Sequence, residues 1–281
     1  MLASIASGYL NCNIPFKKMK TICISCIIYT LNGKDPKDNL YLNIFHQWLS
    51  MLIKNGGLQQ DDLLIINIDT LTLDYFNKSG NVLRSLLQKL ECPFVFYTFD
   101  PPNTPLEGMM HKYDNTEYTQ DMYIYSDIDV LIVNPLSLLK ETIEENTMYF
   151  VTGFSLNDPF YSEGFPPEIP VSKDLPGFNA SIFLFSSIEL RNSFFARIHE
   201  LCDYSSQYKW VEQPYFNRAI YDLPRDTSRL NIKILSEHVS FNHYPVTGKI
   251  IFLDLAGETS NGLSHFTTMS DMICLFITGG L

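Results

Sequence analysis

The chain has 281 residues, of which 46% are hydrophobic and 14% aromatic, and its formal net charge is −11 at pH 7. This length and apolar content suit one large α/β domain, or two intimately joined ones, with ample core. The acidic charge argues against nucleic acid or an anionic membrane as the main partner, and no apolar run approaches the roughly 20 residues that a transmembrane helix needs.

The chain begins with a segment that does not resemble a secretory signal. Its start is mildly apolar but lacks a leading basic region, and Asn11, Asn13 and Pro15 interrupt it. We therefore interpret residues 1–18 as an N-terminal extension and expect a cytoplasmic location.

The next part of the chain alternates apolar runs with helical patterns. The predicted strands are residues 20–30, 63–68, 94–97 and 123–132, and the predicted helices are residues 40–54, 70–90 with a break near Gly80, and 106–113. Strands that alternate with helices indicate a parallel sheet with helices on both faces.

Two of the six cysteines, Cys23 and Cys26, have the spacing of a redox or zinc pair. They lie in the first predicted strand, where residues i and i+3 face opposite sides. No second cysteine pair completes a zinc site. We therefore expect these two thiols to lie in the core and not to bind a metal.

Two carboxylates, Asp127 and Asp129, occur two residues apart in the run 123–132. In an extended segment, residues i and i+2 lie on the same face, so both can point toward one cation. Mg²⁺ and Mn²⁺ prefer such oxygen ligands, together with substrate phosphates. Ligands of parallel α/β folds bind beyond the carboxyl ends of the strands. The alternative is a solvated pair in a turn.

The second half of the chain is less regular. Residues 155–177 are predicted to form a long polar loop with several prolines, and loops of this length are usually functional or mobile. The predicted helices are residues 136–146, 188–203 and 210–220, and the predicted strands are residues 148–154, 178–185, 231–234 and 250–253.

The order of four segments resembles metal-dependent glycosyltransferases of the GT-A fold, and in particular glycosyltransferase family 8, the glycogenin and galactosyltransferase type. These segments are the Asp-x-Asp pair, Phe178-Asn179-Ala180-Ser181, Glu212-Gln213, and a late histidine, His265. The resemblance implies an α/β GT-A fold, with a Rossmann-like, mostly parallel central sheet flanked by helices and a smaller, mixed sheet on the acceptor side. It implies a single domain, residues 19–281, with a nucleotide-binding half (19–135) and an acceptor-binding half (136–281).

The resemblance also implies a metal site and a donor site. Asp127, Asp129 and His265 would hold Mn²⁺ or Mg²⁺, which bridges the diphosphate of a UDP-sugar. The residues expected to bind the donor are Tyr29, Thr30, Tyr41, Lys112, Ser126, Asn179, Ala180 and Ser181.

The family's phosphate-binding lysine is not matched in this chain, because Thr268 and Asp271 fall near its place. Lys112 and Lys249 are the candidates for that positive charge. A divalent ion and cationic groups would stabilise the negative charge that develops on the leaving diphosphate.

The catalytic candidates are Gln213 and Glu212. Asn179 and Gln213 would orient sugar hydroxyls through their amides, although Asn also caps turns. Glu212 would stabilise an oxocarbenium-like centre, or serve only as a carboxylate at a helix N-terminus. By resemblance, Gln213 is preferred over Glu212 for the face of the sugar opposite the leaving group.

The resemblance implies that the anomeric configuration is retained. An inverting enzyme needs a carboxylate base near the acceptor hydroxyl, and Asp158, Glu163 and Asp174 in the long loop leave that option open.

Two other classes of function remain. A haloacid-dehalogenase-like, Mg²⁺-dependent phosphatase also uses Asp-x-Asp after a strand, but it needs a later Gly-Asp segment, and this chain contains no Gly-Asp dipeptide. A non-catalytic protein that binds sugar nucleotides or glycans would keep the pocket without turnover. The expected reaction transfers a hexose to a sugar or protein acceptor, and the sequence leaves a homodimer open.

Overall fold

The computed structural model describes residues 20–78, 82–167, 171–205, 208–222, 231–241 and 250–254. Across these ranges the chain forms two β-sheets with helices packed against them. No helix in these ranges has the length and apolar character that crossing a bilayer requires.

The strands and helices follow each other in the predicted alternation. The strands are β1 (Ile22–Ile28), β2 (Leu63–Asp69), β3 (Phe94–Phe99), β4 (Met122–Ser126), β5 (Val130–Ile132), β6 (Thr147–Ser155), β7 (Pro176–Phe185), β8 (Asn231–Ile234), β9 (Val239–Phe241) and β10 (Phe252–Asp254). The α-helices are α1 (Tyr41–Asn55), α2 (Thr70–Asn77), α3 (Val82–Leu87), α4 (Pro105–Met110), α5 (Ser137–Lys140), α6 (Pro159–Ser162), α7 (Ile188–Leu201) and α8 (Gln213–Asp222). Short 3-10 turns occur at Pro36–Asp38, His111–Tyr113 and Ser236–His238.

The central sheet has seven strands in the order β3-β2-β1-β4-β7-β6-β8. Only β7 runs antiparallel to its neighbours, so the sheet is mostly parallel, as predicted. In the smaller sheet, β10 pairs antiparallel with β5 and parallel with β9. This is the smaller, mixed sheet that the resemblance implied.

Side chains of the inner strands β1, β2 and β4 are buried on both faces of the central sheet. On one face, Cys26 of β1 belongs to the same apolar cluster as Phe45 and Trp48 of α1. On the other face, Cys23 shares a cluster with Phe194 and Phe195 of α7. Helices therefore cover both faces, which is why the strands are continuously apolar.

The predicted placement of the two cysteine thiols is confirmed. Cys23 and Cys26 are both fully buried, lie on opposite faces and form no disulfide. Burial raises the pKa of both thiols. Inert core thiols are the expected result of such burial.

The predicted helix over residues 136–146 is wrong in length, since α5 covers only Ser137–Lys140. Beyond it, the Thr142 hydroxyl donates a hydrogen bond to the Leu139 carbonyl, which competes with helix propagation. Asn146 then has a φ of 52°. Asn tolerates this left-handed conformation, which turns the chain into β6.

Three short elements were not predicted separately. β5 was merged with β4 in the predicted run 123–132, and α6 lies inside the predicted loop 155–177. β9 has only three residues, too few to produce a periodic pattern. Both β5 and β9 are defined by their pairing with β10, which lies far from β5 along the chain.

Candidate active site

Asp127 and Asp129 lie in a turn and not in a strand. β4 ends at Ser126, and the Val130 N–H donates to the Asp127 carbonyl at 3.2 Å. The prediction that both acids share one face of a strand is therefore wrong, because strand alternation does not apply to a turn. The turn nevertheless brings both residues to one cavity.

This cavity has a volume of about 520 Å³ and lies at the carboxyl ends of β1 and β4. Tyr29, Thr30 and Tyr41, predicted to bind the donor, line it together with Asp127 and Asp129. Its full lining is Ile27, Ile28, Tyr29, Thr30, Leu31, Lys34, Asp35, Asp38, Asn39, Tyr41, Pro105, Met109, Asp127, Ile128 and Asp129. Its position agrees with the rule that ligands bind beyond strand ends in such sheets.

Hydrogen bonds hold the cavity wall that follows β1. The Thr30 N–H donates to Asp69 Oδ2 at 2.9 Å, and Asn39 Nδ2 donates to the Tyr29 carbonyl at 2.8 Å. The Tyr29 ring packs directly on Gly108 of α4, where an added Cβ would come within 2.4 Å of ring atoms. The wall is therefore positioned before any ligand binds.

The acids at the cavity have perturbed pKa values. Burial raises the pKa of Asp127 to about 7; Lys112 acts in the opposite direction, while Asp129 and Glu212 add to the rise. Burial also raises the pKa of Asp129 to about 7, with a further rise from the Asp254 carboxylate. Burial and neighbouring carboxylates thus disfavour the charged forms of both acids, and Lys112 offsets this effect only in part.

Lys112 lies behind Asp127, with no exposed side-chain surface. Its Nζ lies 2.5 Å from Glu212 Oε1 and 3.8 Å from Asp127 Oδ1. The Tyr125 hydroxyl donates to the same Asp127 oxygen at 2.6 Å. The structure therefore brings Lys112, Glu212 and Asp127 together, and a contact between Lys112 and donor phosphates stays a prediction.

The strand β7 continues past the point where its neighbour β4 ends. Ser126, the last residue of β4, pairs with Ile182. On the other side, consecutive residues of β6 pair with Phe183 and Asn179, so residues 180–182 have no partner on β6. The Asn-Ala-Ser segment therefore forms an irregular bulge at the sheet edge that carries the site.

Side chains and backbone of the site bind this bulge. Lys112 Nζ donates to the Ala180 carbonyl at 3.4 Å, and the Asp127 N–H donates to the Ser181 carbonyl at 2.7 Å. Gln213 Oε1 accepts from the Ala180 N–H at 3.0 Å. Predicted site residues from three distant parts of the chain thus meet at the bulge.

Asn179 makes the turn contact that was the alternative to a sugar-binding role. Its Oδ1 accepts from the Ser181 N–H, two residues further on, at 2.9 Å. Ser181 in turn donates its hydroxyl to Asp254 Oδ2 at 2.7 Å. Sequence reasoning missed Asp254, a fully buried carboxylate, because it ends a three-residue strand and belongs to no motif.

Some predicted residues are not placed at the cavity. His265 and Lys249 lie outside the described residues. Ser126 is fully buried, and its hydroxyl donates to the Asp127 carbonyl at 3.0 Å.

Lys34 lines the cavity although it was not predicted as a site residue. Its position in the polar turn after β1 was the sequence feature that could have identified it.

Two of the three loop acids that left an inverting mechanism open accept backbone hydrogen bonds. Asp158 accepts from the Phe160 N–H at the start of α6, and Glu163 accepts from the Lys209 N–H. Asp174 is exposed. The choice between retention and inversion therefore stays a prediction.

The Asp pair fits a divalent metal by its chemistry. Carboxylate oxygens suit Mn²⁺ and Mg²⁺, and the raised pKa values of Asp127 and Asp129 indicate crowded acids that a cation would stabilise in the charged form. In the part of the chain that the structure describes, no three His, Cys, Asp or Glu side chains are arranged to hold a metal. Ions of this kind that bind through one or two carboxylates take further ligands from substrate phosphates and water.

Comparison with known proteins adds evidence on the fold. No protein-family profile matches the sequence, and no curated relative matches it. The solved structure of mouse xyloside xylosyltransferase 1, in its apo form, is similar with a TM-score of 0.50 and 12% sequence identity, over 84% of this chain and 97% of that chain. At this identity the similarity shows the fold alone, and it confirms the predicted GT-A fold class.

Proposed function

We propose that this protein is a metal-dependent glycosyltransferase that transfers a hexose from a UDP-sugar to a sugar or protein acceptor with retention of configuration. The observation that carries the proposal is the position of Asp127 and Asp129 on one cavity at the carboxyl ends of β1 and β4. The fold similarity to a xylosyltransferase supports the class of reaction.

In this proposal the cavity binds the nucleotide. Tyr29, Thr30 and Tyr41 hold the uracil and ribose, and Lys34 offers a cation close to the phosphates. Asp127 and Asp129 hold Mn²⁺ or Mg²⁺, which would supply Lewis-acid stabilisation of the leaving diphosphate when bound. His265 remains a proposed third ligand.

Glu212 is the acid that we assign to the reacting sugar. Its carboxylate pairs with Lys112, which also lies near Asp127. The preference for Gln213 is less well supported, because both ends of its amide bind the backbone of β7. Glu212 would place negative charge near an oxocarbenium-like centre, and Lys112 would keep it oriented.

The test is UDP release from a panel of UDP-sugars with Mn²⁺, with and without glycan acceptors. We expect turnover with one donor, and loss of Mn²⁺-dependent UDP binding in Asp127→Asn and Asp129→Asn. Asp61→Asn, which changes an exposed carboxylate at the amino end of β2, is the matched control. Unchanged metal-dependent affinity in both site variants would contradict the proposal.

A non-catalytic sugar-nucleotide-binding protein is the second candidate. It is favoured by the burial of Lys112, one of the two candidates for the phosphate contact, whose charge is engaged by Glu212. Tight UDP binding without release of UDP from any donor, with or without acceptor, would support this candidate. Release of inorganic phosphate without UDP would instead support the phosphatase. The cytoplasmic location, the identity of the acceptor and a homodimer stay predictions.

A further inference from the structure

Beyond the end of β4, side chains of α8 provide hydrogen-bond partners for backbone groups of β7. The Phe178 N–H donates to Asn217 Oδ1 at 2.8 Å, and the Phe178 carbonyl accepts from Asn217 Nδ2 at 2.9 Å and from Gln213 Nε2 at 2.5 Å. Gln213 Oε1 accepts from the Ala180 N–H at 3.0 Å. Two amide side chains thus take the place of a neighbouring strand.

Gln213 and Asn217 are four residues apart, so they lie on the same face of α8. Asn217 is fully buried and Gln213 is 5% exposed. Asn217 Nδ2 also donates to the Gln213 carbonyl at 3.0 Å. Asn217 is therefore enclosed by protein groups and acts only on its neighbours.

A strained turn leads into this contact. Val211 has a φ of 53°, a left-handed conformation that is a rare outlier for a β-branched residue. Asn146, a residue type that tolerates this conformation, is the other non-glycine residue with positive φ among the described residues. Strain of this kind persists only where surrounding contacts determine it, and it clusters at functional sites.

We propose that Gln213 and Asn217 are positioning residues, whose amides hold the β7 bulge in the form that orients Lys112 and Asp127. The link is direct, because the bulge residues Ala180 and Ser181 offer their carbonyls to Lys112 Nζ and to the Asp127 N–H. This inference rests on the proposed function, and it assigns Gln213 to the bulge and not to the sugar.

The test uses Asn217→Asp and Gln213→Glu, each of which keeps the accepting oxygen and removes the N–H donor to Phe178. Ile220→Val, at another buried position of α8, is the control for loss of stability without loss of a side-chain hydrogen bond to β7. We expect kcat for UDP-sugar hydrolysis to fall about tenfold or more in both amide variants, because small misplacements of reacting groups are costly. The donor KM should rise as well, since Asp127 lines the nucleotide cavity as a proposed metal ligand, whereas Ile220→Val should leave both parameters within about twofold of wild type.

Two kinetic outcomes would overturn the proposal. In the first, Asn217→Asp and the control Ile220→Val lose the same thermal stability and have the same kcat, which would make the role of Asn217 merely structural. In the second, Gln213→Glu abolishes turnover while Asn217→Asp leaves it intact, which would place Gln213 at the sugar.

Amide hydrogen exchange separates this inference from the proposed function. The Ala180 N–H is bonded to Gln213 Oε1, so Gln213→Ala should speed its exchange, whereas Ile220→Val should not. If the wild-type protein shows no turnover, the proposed function fails while faster Ala180 exchange still supports the contact. Unchanged Ala180 exchange in Gln213→Ala would refute the contact itself.

Discussion

Replacing Lys112 by Met tests the central charge arrangement of the site. Met has a similar length but carries no charge, so the substitution removes the partner of Glu212, whose carboxylate lies 2.5 Å from Lys112 Nζ and is 9% exposed. Burial lowers the pKa of Lys112, but Asp127 and Glu212 raise it by more, so the ammonium is charged at neutral pH. The variant therefore leaves buried carboxylates without their cation.

The expected loss is large. Removing one partner of a buried ion pair costs about 3–5 kcal/mol. For a chain of roughly this size, about 1 kcal/mol shifts Tm by about 2–4 °C, so Tm should fall by about 6–20 °C at pH 7.5. Lys37→Met is a suitable control, because Lys37 pairs with Asp35 at 3.0 Å while both side chains are exposed, so its loss should change Tm little.

The loss should depend on pH with a definite sign. Without Lys112 the pKa of Asp127 rises further, so this carboxyl binds more protons in the folded state than in the unfolded state. Unfolding free energy then increases as pH falls, and the difference from wild type should shrink between pH 7.5 and pH 5.

The assay is thermal unfolding of the single variants and of Lys112→Met/Glu212→Gln. The double variant should recover most of the lost Tm, since it removes the unpaired charge along with its partner. A Tm for Lys112→Met within about 2 °C of wild type at pH 7.5 would refute the reasoning, because the ion pair would then contribute under about 1 kcal/mol. The reasoning would also be refuted if the double variant Lys112→Met/Glu212→Gln recovered none of the Tm that Lys112→Met loses.

Two further predictions concern the cavity. With metal removed by a chelator, Asp129→Asn should have a higher Tm than wild type at pH 8, and the difference should be smaller at pH 5. The raised pKa of Asp129 destabilises the folded wild-type protein as pH rises from 3.8 toward about 7, whereas Asn does not titrate. Equal Tm differences at both pH values would contradict this prediction. Gly108→Ala should weaken UDP binding, because the new Cβ would come within 2.4 Å of the Tyr29 ring and displace that ring from the cavity wall. Calorimetry that shows wild-type affinity for UDP would contradict this second prediction.

Several features of the fold could be predicted from the sequence because they depend on local patterns. The periodic apolar residues of the segment 40–54 predicted α1, and the strand alternation around Cys23 and Cys26 placed their thiols on opposite faces. The predicted helix over residues 136–146 failed where a side chain, that of Thr142, competes with the backbone.

The sequence alone determined the alternating α/β architecture and drew attention to Asp127 and Asp129, since periodicity and close spacing are properties of neighbouring residues. Only the tertiary structure decided that these acids lie in a turn on one cavity, that Lys112 pairs with Glu212, and that Asp254 raises the pKa of Asp129. These features arise from burial and from charges that meet across distant segments, and packing alone brings such segments together.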